Sequence, residues 1–225
     1  MHIEPGIVDG AKIALSYATA AAAGTYGLKL AVDHVRSEGL PSLVLRGAIA
    51  TVLVFIFFEV LPHVAVGVSE VHLILGTTLL LLLGVAPAAI GLAAGLAIQG
   101  IFFAPFDLPQ YGMNVTTLLV PLFGIQALAG RIIPAGTAFV DVNYGQLVKL
   151  SFAYQGGIVA WVAFWAFYGN GVTAETFQSV GTFGLAYMTV ILLEPVVDLA
   201  VLAGAKGLRG LAGSKAFTPR LLNAA

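Results

Sequence analysis

Between Glu70 and Asp107 the chain runs for 36 residues without one Asp, Glu, Lys or Arg. As a single helix that stretch would be about 54 Å long, against a bilayer hydrocarbon core of about 30 Å. It must fold back on itself, and Gly84-Val85-Ala86-Pro87 is the turn-like punctuation near its middle. Two apolar segments joined so tightly have no wetted face, which predicts a membrane protein. Composition agrees: 9% of the 225 residues are charged and 59% are hydrophobic, with a mean hydropathy of +0.98, where soluble domains carry about 25% charged residues.

Other charge-free runs extend the reading. Residues 108–130 and 150–174 predict one span each, and 180–203 another that carries Glu194 and Asp198. Residues 43–61, with Arg46 at one end and Glu59 at the other, predict a span, and the Ala-rich 10–33 is long enough for one more. The expected fold class is an all-α integral membrane protein of about seven helices, near 10–33, 43–61, 71–85, 87–104, 114–133, 148–168 and 180–203. Residues 1–9 would form an amino-terminal plug, and 204–225 a tail, within one membrane domain.

Positive charge orients this set. With the amino terminus outside and tucked inward, Lys29, Arg36, Arg46, Arg131, Lys149, Lys206, Arg209, Lys215 and Arg220 all fall on the cytoplasmic side with the carboxy terminus. Only Lys12 falls outside. A multi-pass place in the cell inner membrane follows, and the start of the chain lacks the basic n-region of a cleaved signal peptide. A net charge of −1 leaves no basic field for nucleic acid. The absence of cysteine excludes disulfides, thiolate metal sites and cysteine nucleophiles. No phosphate-binding Gly-x-x-x-x-Gly-Lys run occurs, so ATP coupling would belong to a partner, and the chain is not expected to be an enzyme.

Of four histidines, His34 is expected in a cytoplasmic 33–42 loop, while His2, His63 and His72 belong to the outer half. His72 stands twelve residues before Gly84, about 18 Å at helical rise, so it is expected well below the outer surface. Non-helical backbone at that depth needs protein around it, and the amino terminus is a candidate cover. A free Met1-His2 start is a chelator: the α-amino nitrogen of Met1, the His2 amide nitrogen and the His2 ring form two fused rings around one metal. His72 could complete a square plane. All-nitrogen tetragonal coordination suits Ni(II), Cu(II) or low-spin Co(II), and binding would release protons.

Met1-His2-Ile3-Glu4-Pro5-Gly6, Gly67-Val68-Ser69-Glu70-Val71-His72-Leu73, Gln99-Gly100-Ile101-Phe102-Phe103 and Gly112-Met113-Asn114 occur in this order. Together they resemble the CbiM/NikM family, the substrate-binding membrane subunits of energy-coupling-factor (ECF) cobalt and nickel importers, over about residues 1–125. The resemblance implies seven helices, bound Ni(II) or Co(II) as substrate, and Met1, His2 and His72 as its ligands. It also implies Asn114 as a residue holding the amino-terminal segment. Ser69 and Glu70 stand just before His72 in the same loop; Glu70 either offsets the cation's charge or orients an imidazole, or is a solvated loop acid. A scaffold membrane subunit, ATPase subunits and a small accessory membrane subunit are the partners it implies. Pro5 before Gly6, Glu70-Val71 before His72, and Met113 depart from the family pattern.

His63 is either a further ligand met on the way in or a loop histidine in water. Glu59 is expected to snorkel at the interface. Glu194 and Asp198 are expected to pair with Lys149, Lys206 or Arg131. Alternatively, with Glu59, they would serve a proton- or ion-conducting channel or antiporter. An ECF subunit for an organic vitamin is the other alternative. Ala14, Ala18 and Ala22 are expected to pack within the bundle, the alternative being a face where a transport partner docks, and Trp161 and Trp165 are expected to lie in an aromatic belt.

Overall fold

A computed structural model describes residues 2–207 and 216–222. Met1, Arg209 and Lys215 lie outside the described residues. Helix α1 spans Ile13–Glu38 and α2 spans Leu40–Phe55, continued by a π turn at Ile56–Val60. A hairpin of β1 (Val64–Val66) and β2 (Ser69–Val71) follows, then α3 (Gly76–Leu83) and α4 (Val85–Phe102). A 3-10 turn at Pro105–Gln110 leads into α5 (Tyr111–Ile132). The chain ends in α6 (Tyr144–Asn170), α7 (Ala174–Gly207) and the short α8 (Pro219–Leu222).

Among the described residues five segments are long and apolar enough to cross a membrane: Leu40–Val60, Val85–Phe102, Pro105–Ile132, Tyr144–Asn170 and Ala174–Gly207. The protein is a multi-pass membrane protein. Helix α1 is long, but Lys29, Asp33, Arg36 and Glu38 gather towards its end, and α3 has only eight residues.

The punctuation residues do the work their chemistry allows. Gly84 joins α3 to α4 in one residue at φ 94°, backbone that a side chain would strain. Asn143 caps α6 by accepting from the Gln146 backbone at 2.8 Å, and the Gln146 side chain returns the bond. Helices α2 and α4 pack most intimately, because a β-carbon on Gly91 would lie 2.3 Å from that of Ala50. A small residue there lets the two backbones approach.

Four expectations are corrected. The first helix runs on to Glu38, so His34 is helical and buried, bonded to the Ser42 hydroxyl at 3.1 Å. No loop interrupts it, because Gly39 rather than Asp33 breaks the helix, and Arg46 closes the corner on Glu38 at 2.6 Å. Trp165 is fully buried in the core, whereas half-buried Trp161 donates to the Thr116 hydroxyl at 3.2 Å. Ala14, Ala18 and Ala22 face outward, and Ser16 and Ala23 supply the buried face of α1 instead. The predicted helix 71–85 begins only at Gly76.

The carboxy-terminal segment does not hang free. The Thr218 N–H donates to the Leu82 carbonyl at 2.9 Å, closing an open carbonyl near the end of α3. Arg220 lies over the Phe139 ring at 4.9 Å. This end of the bundle is the one opposite the hairpin.

Candidate metal centre

The hairpin is pinned on both sides. Strand β2 pairs with β1 through Val64–Val71, Ala65–Glu70 and Val66–Ser69. On its other side lies the amino-terminal segment, with Ile3 bridging Ser69. The Glu4 N–H donates to the Val68 carbonyl at 3.1 Å, and the His2 carbonyl accepts from the Glu70 N–H at 2.9 Å and the Ser69 hydroxyl at 2.8 Å. The Ile3 N–H donates to the Asn114 side-chain oxygen at 2.8 Å. The carbonyls of His2 and Glu4 and the N–H groups of Ile3 and Glu4 are thus met by protein, as irregular backbone within a membrane bundle requires.

Depth follows from helix lengths. Eight residues make α3 about 12 Å long, against about 27 Å for the eighteen of α4. The loop that carries His72 therefore reaches well into the bundle. Leu75 ends that loop in left-handed backbone at φ 54°, the one non-glycine at positive φ among the described residues. The Glu194 carboxylate on α7 accepts from the N–H groups of both Ile74 and Leu75. That is why the helix cannot start at residue 71: strand pairing holds 69–71, and Glu194 holds 74–75.

Three side chains meet above this loop: His2, Glu70 and His72. One oxygen of Glu70 lies 2.5 Å from His2 Nδ1 and 2.8 Å from His72 Nε2. Both rings are buried, with centroids 5.4 Å apart. Phe58 packs against both rings at 6.3 and 5.3 Å, and Gln99 stands beside His2. Burial pushes the His2 imidazole down to about 4 and His72 well below its ordinary value, so both rings are neutral near pH 7. Burial alone would raise the Glu70 carboxyl, but hydrogen bonds from His2 and His72 outweigh it and hold it below the usual carboxylate range. Two neutral imidazoles and a carboxylate are a ready donor set for a transition-metal dication.

The structure brings together His2, Ser69, Glu70, His72 and Asn114. The amino nitrogen of Met1 lies outside the described residues. His63 is exposed, its ring stacked on His72 at 4.8 Å and 13°, and it is not among the three converging donors. An open cavity between the hairpin and α7 reaches His72 and has His63 in its wall.

Glu194 and Asp198 do not pair with Lys149, Lys206 or Arg131, as expected from the sequence. Glu194 is buried and also accepts from the Gln155 side-chain amide, whose oxygen in turn accepts from the Tyr187 hydroxyl at 2.7 Å. Asp198 accepts from the Thr78 hydroxyl. The hydroxyl and amide donors come from α3 and α6 and the backbone donors from the loop before α3, so no charged side chain has to be drawn inward. The sequence flagged these acids as costly in a membrane but gave no sign that residues 74 and 75 were their partners. Phe58, Gln99 and Gln155 were likewise not singled out as site residues.

The amino-terminal segment is also seated on α6. Lys12 donates to the Gly169 carbonyl at 2.6 Å, and a β-carbon on Gly169 would lie 1.8 Å from the Ile7 carbonyl oxygen. Gly169→Ala must therefore displace backbone, despite a helix propensity gain of up to about 1 kcal/mol. We expect that variant to fold and to lose metal affinity by about tenfold or more in a calorimetric titration, the usual scale for loosening a ligand's support.

No curated protein and no solved structure matches the chain. The match to a protein family is extensive: the model described as CbiM, cobalt uptake substrate-specific transmembrane region, covers residues 2–209. It reaches far beyond the resemblance read from residues 1–125 and takes in the hairpin, the three converging side chains and all of α7. A deep donor set tied to the amino terminus of an apolar bundle is thus set in a chain that belongs, over nearly its whole length, to the CbiM family of cobalt-uptake membrane components.

Proposed function

We propose that this chain is the substrate-capturing subunit of an ECF-type importer, binding Co(II) or Ni(II) from outside for ATP-driven uptake. The observation that supports it most is the convergence of His2 Nδ1 and His72 Nε2 on one point, with residue 2 anchored through Ser69 and Glu70 and residue 3 through Asn114. The Met1 amine and the His2 amide nitrogen would complete the nitrogen set. In this reading α1 to α7 make seven membrane segments with the amino terminus outside, since nine of ten Lys and Arg then fall inside. A scaffold membrane protein, ATPase subunits and a small accessory membrane subunit would supply energy and motion, and the chain itself would carry out no chemical conversion.

The test is calorimetric titration of Ni(II) and Co(II) into protein with its native start and into protein carrying two extra residues before Met1. Extension removes the terminal amine from its place without touching the bundle. The expected result is tight binding by the native form and a loss of at least about a hundredfold on extension, since that amine closes one of the two fused chelate rings. Equal binding by both forms would overturn the amino-terminal chelate.

A further inference from the structure

We infer that Glu70 is an oxygen ligand of the bound cation and sets which metal the site prefers. This rests on the proposed metal-capture reading and goes beyond a four-nitrogen plane. The two ring nitrogens that face each other across the site both direct their hydrogen bonds at the same Glu70 oxygen, 2.5 and 2.8 Å away. A cation held by both nitrogens must sit within reach of that oxygen. Metal–nitrogen bonds of about 2.0–2.1 Å place neighbouring donors about 2.9 Å apart, close to the two separations seen. The His2–Glu70 and Glu70–His72 edges therefore already lie near those of one coordination polyhedron, and all three donor atoms lie within 4.8 Å of one another.

The carboxylate has no easy escape. Glu70 belongs to β2, its backbone N–H is tied to the His2 carbonyl at 2.9 Å and its register is fixed opposite Ala65. No lysine or arginine forms an ion pair with it among the described residues; its two ion-pair partners are His2 and His72. When those nitrogens turn to a dication, the carboxylate keeps its negative charge and its nearest positive charge is the metal. The outer nitrogens are His2 Nε2, with Gln99 beside the ring, and His72 Nδ1; each can carry its ring's proton when the inner nitrogen turns to the metal.

Adding an oxygen to a nitrogen plane changes the metal chemistry. Nickel(II) gains most from a four-coordinate, all-nitrogen, low-spin square plane, and a fifth donor removes that advantage. Cobalt(II) accepts a fifth donor readily. In a nitrogen-only site the divalent series places Ni(II) ahead of Co(II); Glu70 narrows or reverses that order.

The experiment compares the full chain with its native start against Glu70→Gln, titrating Ni(II) and Co(II) separately and recording the magnetic state of the nickel-bound protein. The magnetic readout comes from bound, folded protein only, so a poorly folding fraction does not blur it. The expected result is paramagnetic five-coordinate Ni(II) in the native chain and diamagnetic square-planar Ni(II) in Glu70→Gln. The preference for Ni(II) over Co(II) should rise about tenfold or more in the variant. Diamagnetic nickel in the native chain, with an unchanged preference in Glu70→Gln, would overturn the role of Glu70 and leave the metal-capture reading standing. No binding of either metal by the native chain would overturn both.

Discussion

Metal affinity is expected to rise about a hundredfold for each unit of pH between about 6 and 7, and about tenfold per unit above about 8. The slope of log K against pH equals the number of protons released on binding. In the proposed chelate the Met1 amine, ordinarily near 7.7–8.0, loses one proton below that value, and the His2 amide loses another at every working pH. The rings contribute nothing to the slope. Burial depresses His2 to about 4 and puts His72 well below its ordinary value, so both are neutral before the window opens. Glu70 is held low by its two imidazole partners and is already a carboxylate. The sign follows: with the rings and the carboxylate ready, raising pH helps only through the main-chain nitrogens. A site of side chains alone would give a flat profile from about pH 6 to 8, because none of its groups titrates there. Titrations of Co(II) or Ni(II) in matched buffers across that range, corrected for buffer–metal binding, separate the two. A flat profile would remove the amine and the amide from the ligand set.

How much of this was legible in the sequence depends on how local each cause is. The fold-back of the charge-free stretch was readable at Gly84, because a glycine followed by Pro87 marks its own turn, and the structure puts the α3–α4 junction there. The nearness of His2 and His72 was readable as a candidate from the depth of His72 and the chelating start, whereas Asn114 was readable only through the ordered motifs of a family, since 111 residues separate Ile3 from the Asn114 that holds it. The start of α3 was not readable. Leu75 is an ordinary helix former by composition, and what keeps 72–75 out of the helix is Glu194, 119 residues further on. The face of α1 was misjudged for a related reason. A run of alanines has small residues on every side, so Ala14, Ala18 and Ala22 gave no signal of which side Ser16 and Ala23 would bury. Trp165 gave a similarly weak cue: an indole fits either a belt or a core, and only the packing of α6 against its neighbours decides.

Glu194→Ala is expected to be the most damaging single change away from the donor side chains. It strips the acceptor from three buried donors at once, the N–H groups of Ile74 and Leu75 and the amide of Gln155. Each orphaned donor costs about 1–3 kcal/mol, and within the bundle water is not there to replace the lost partner. A total of about 3 kcal/mol or more corresponds to roughly a 6–12 °C fall in the unfolding midpoint for a chain of this size. The change also frees residues 72–75, so metal affinity should fall with stability although Glu194 touches no metal ligand. Glu194→Gln separates the two effects. Its remaining oxygen can still accept from Ile74 and Leu75, but its new amide faces the amide of Gln155. Gln155 can turn over only by reversing its bond with the Tyr187 hydroxyl, which leaves the hydroxyl hydrogen without the acceptor it has at 2.7 Å. That variant should therefore keep most of its metal affinity while losing part of its thermal stability. Thermal unfolding in detergent, with and without Co(II), reads both quantities. If Glu194→Ala melts where the parent melts and binds as tightly, the loop is held by the hairpin alone, and the position of His72 owes nothing to α7.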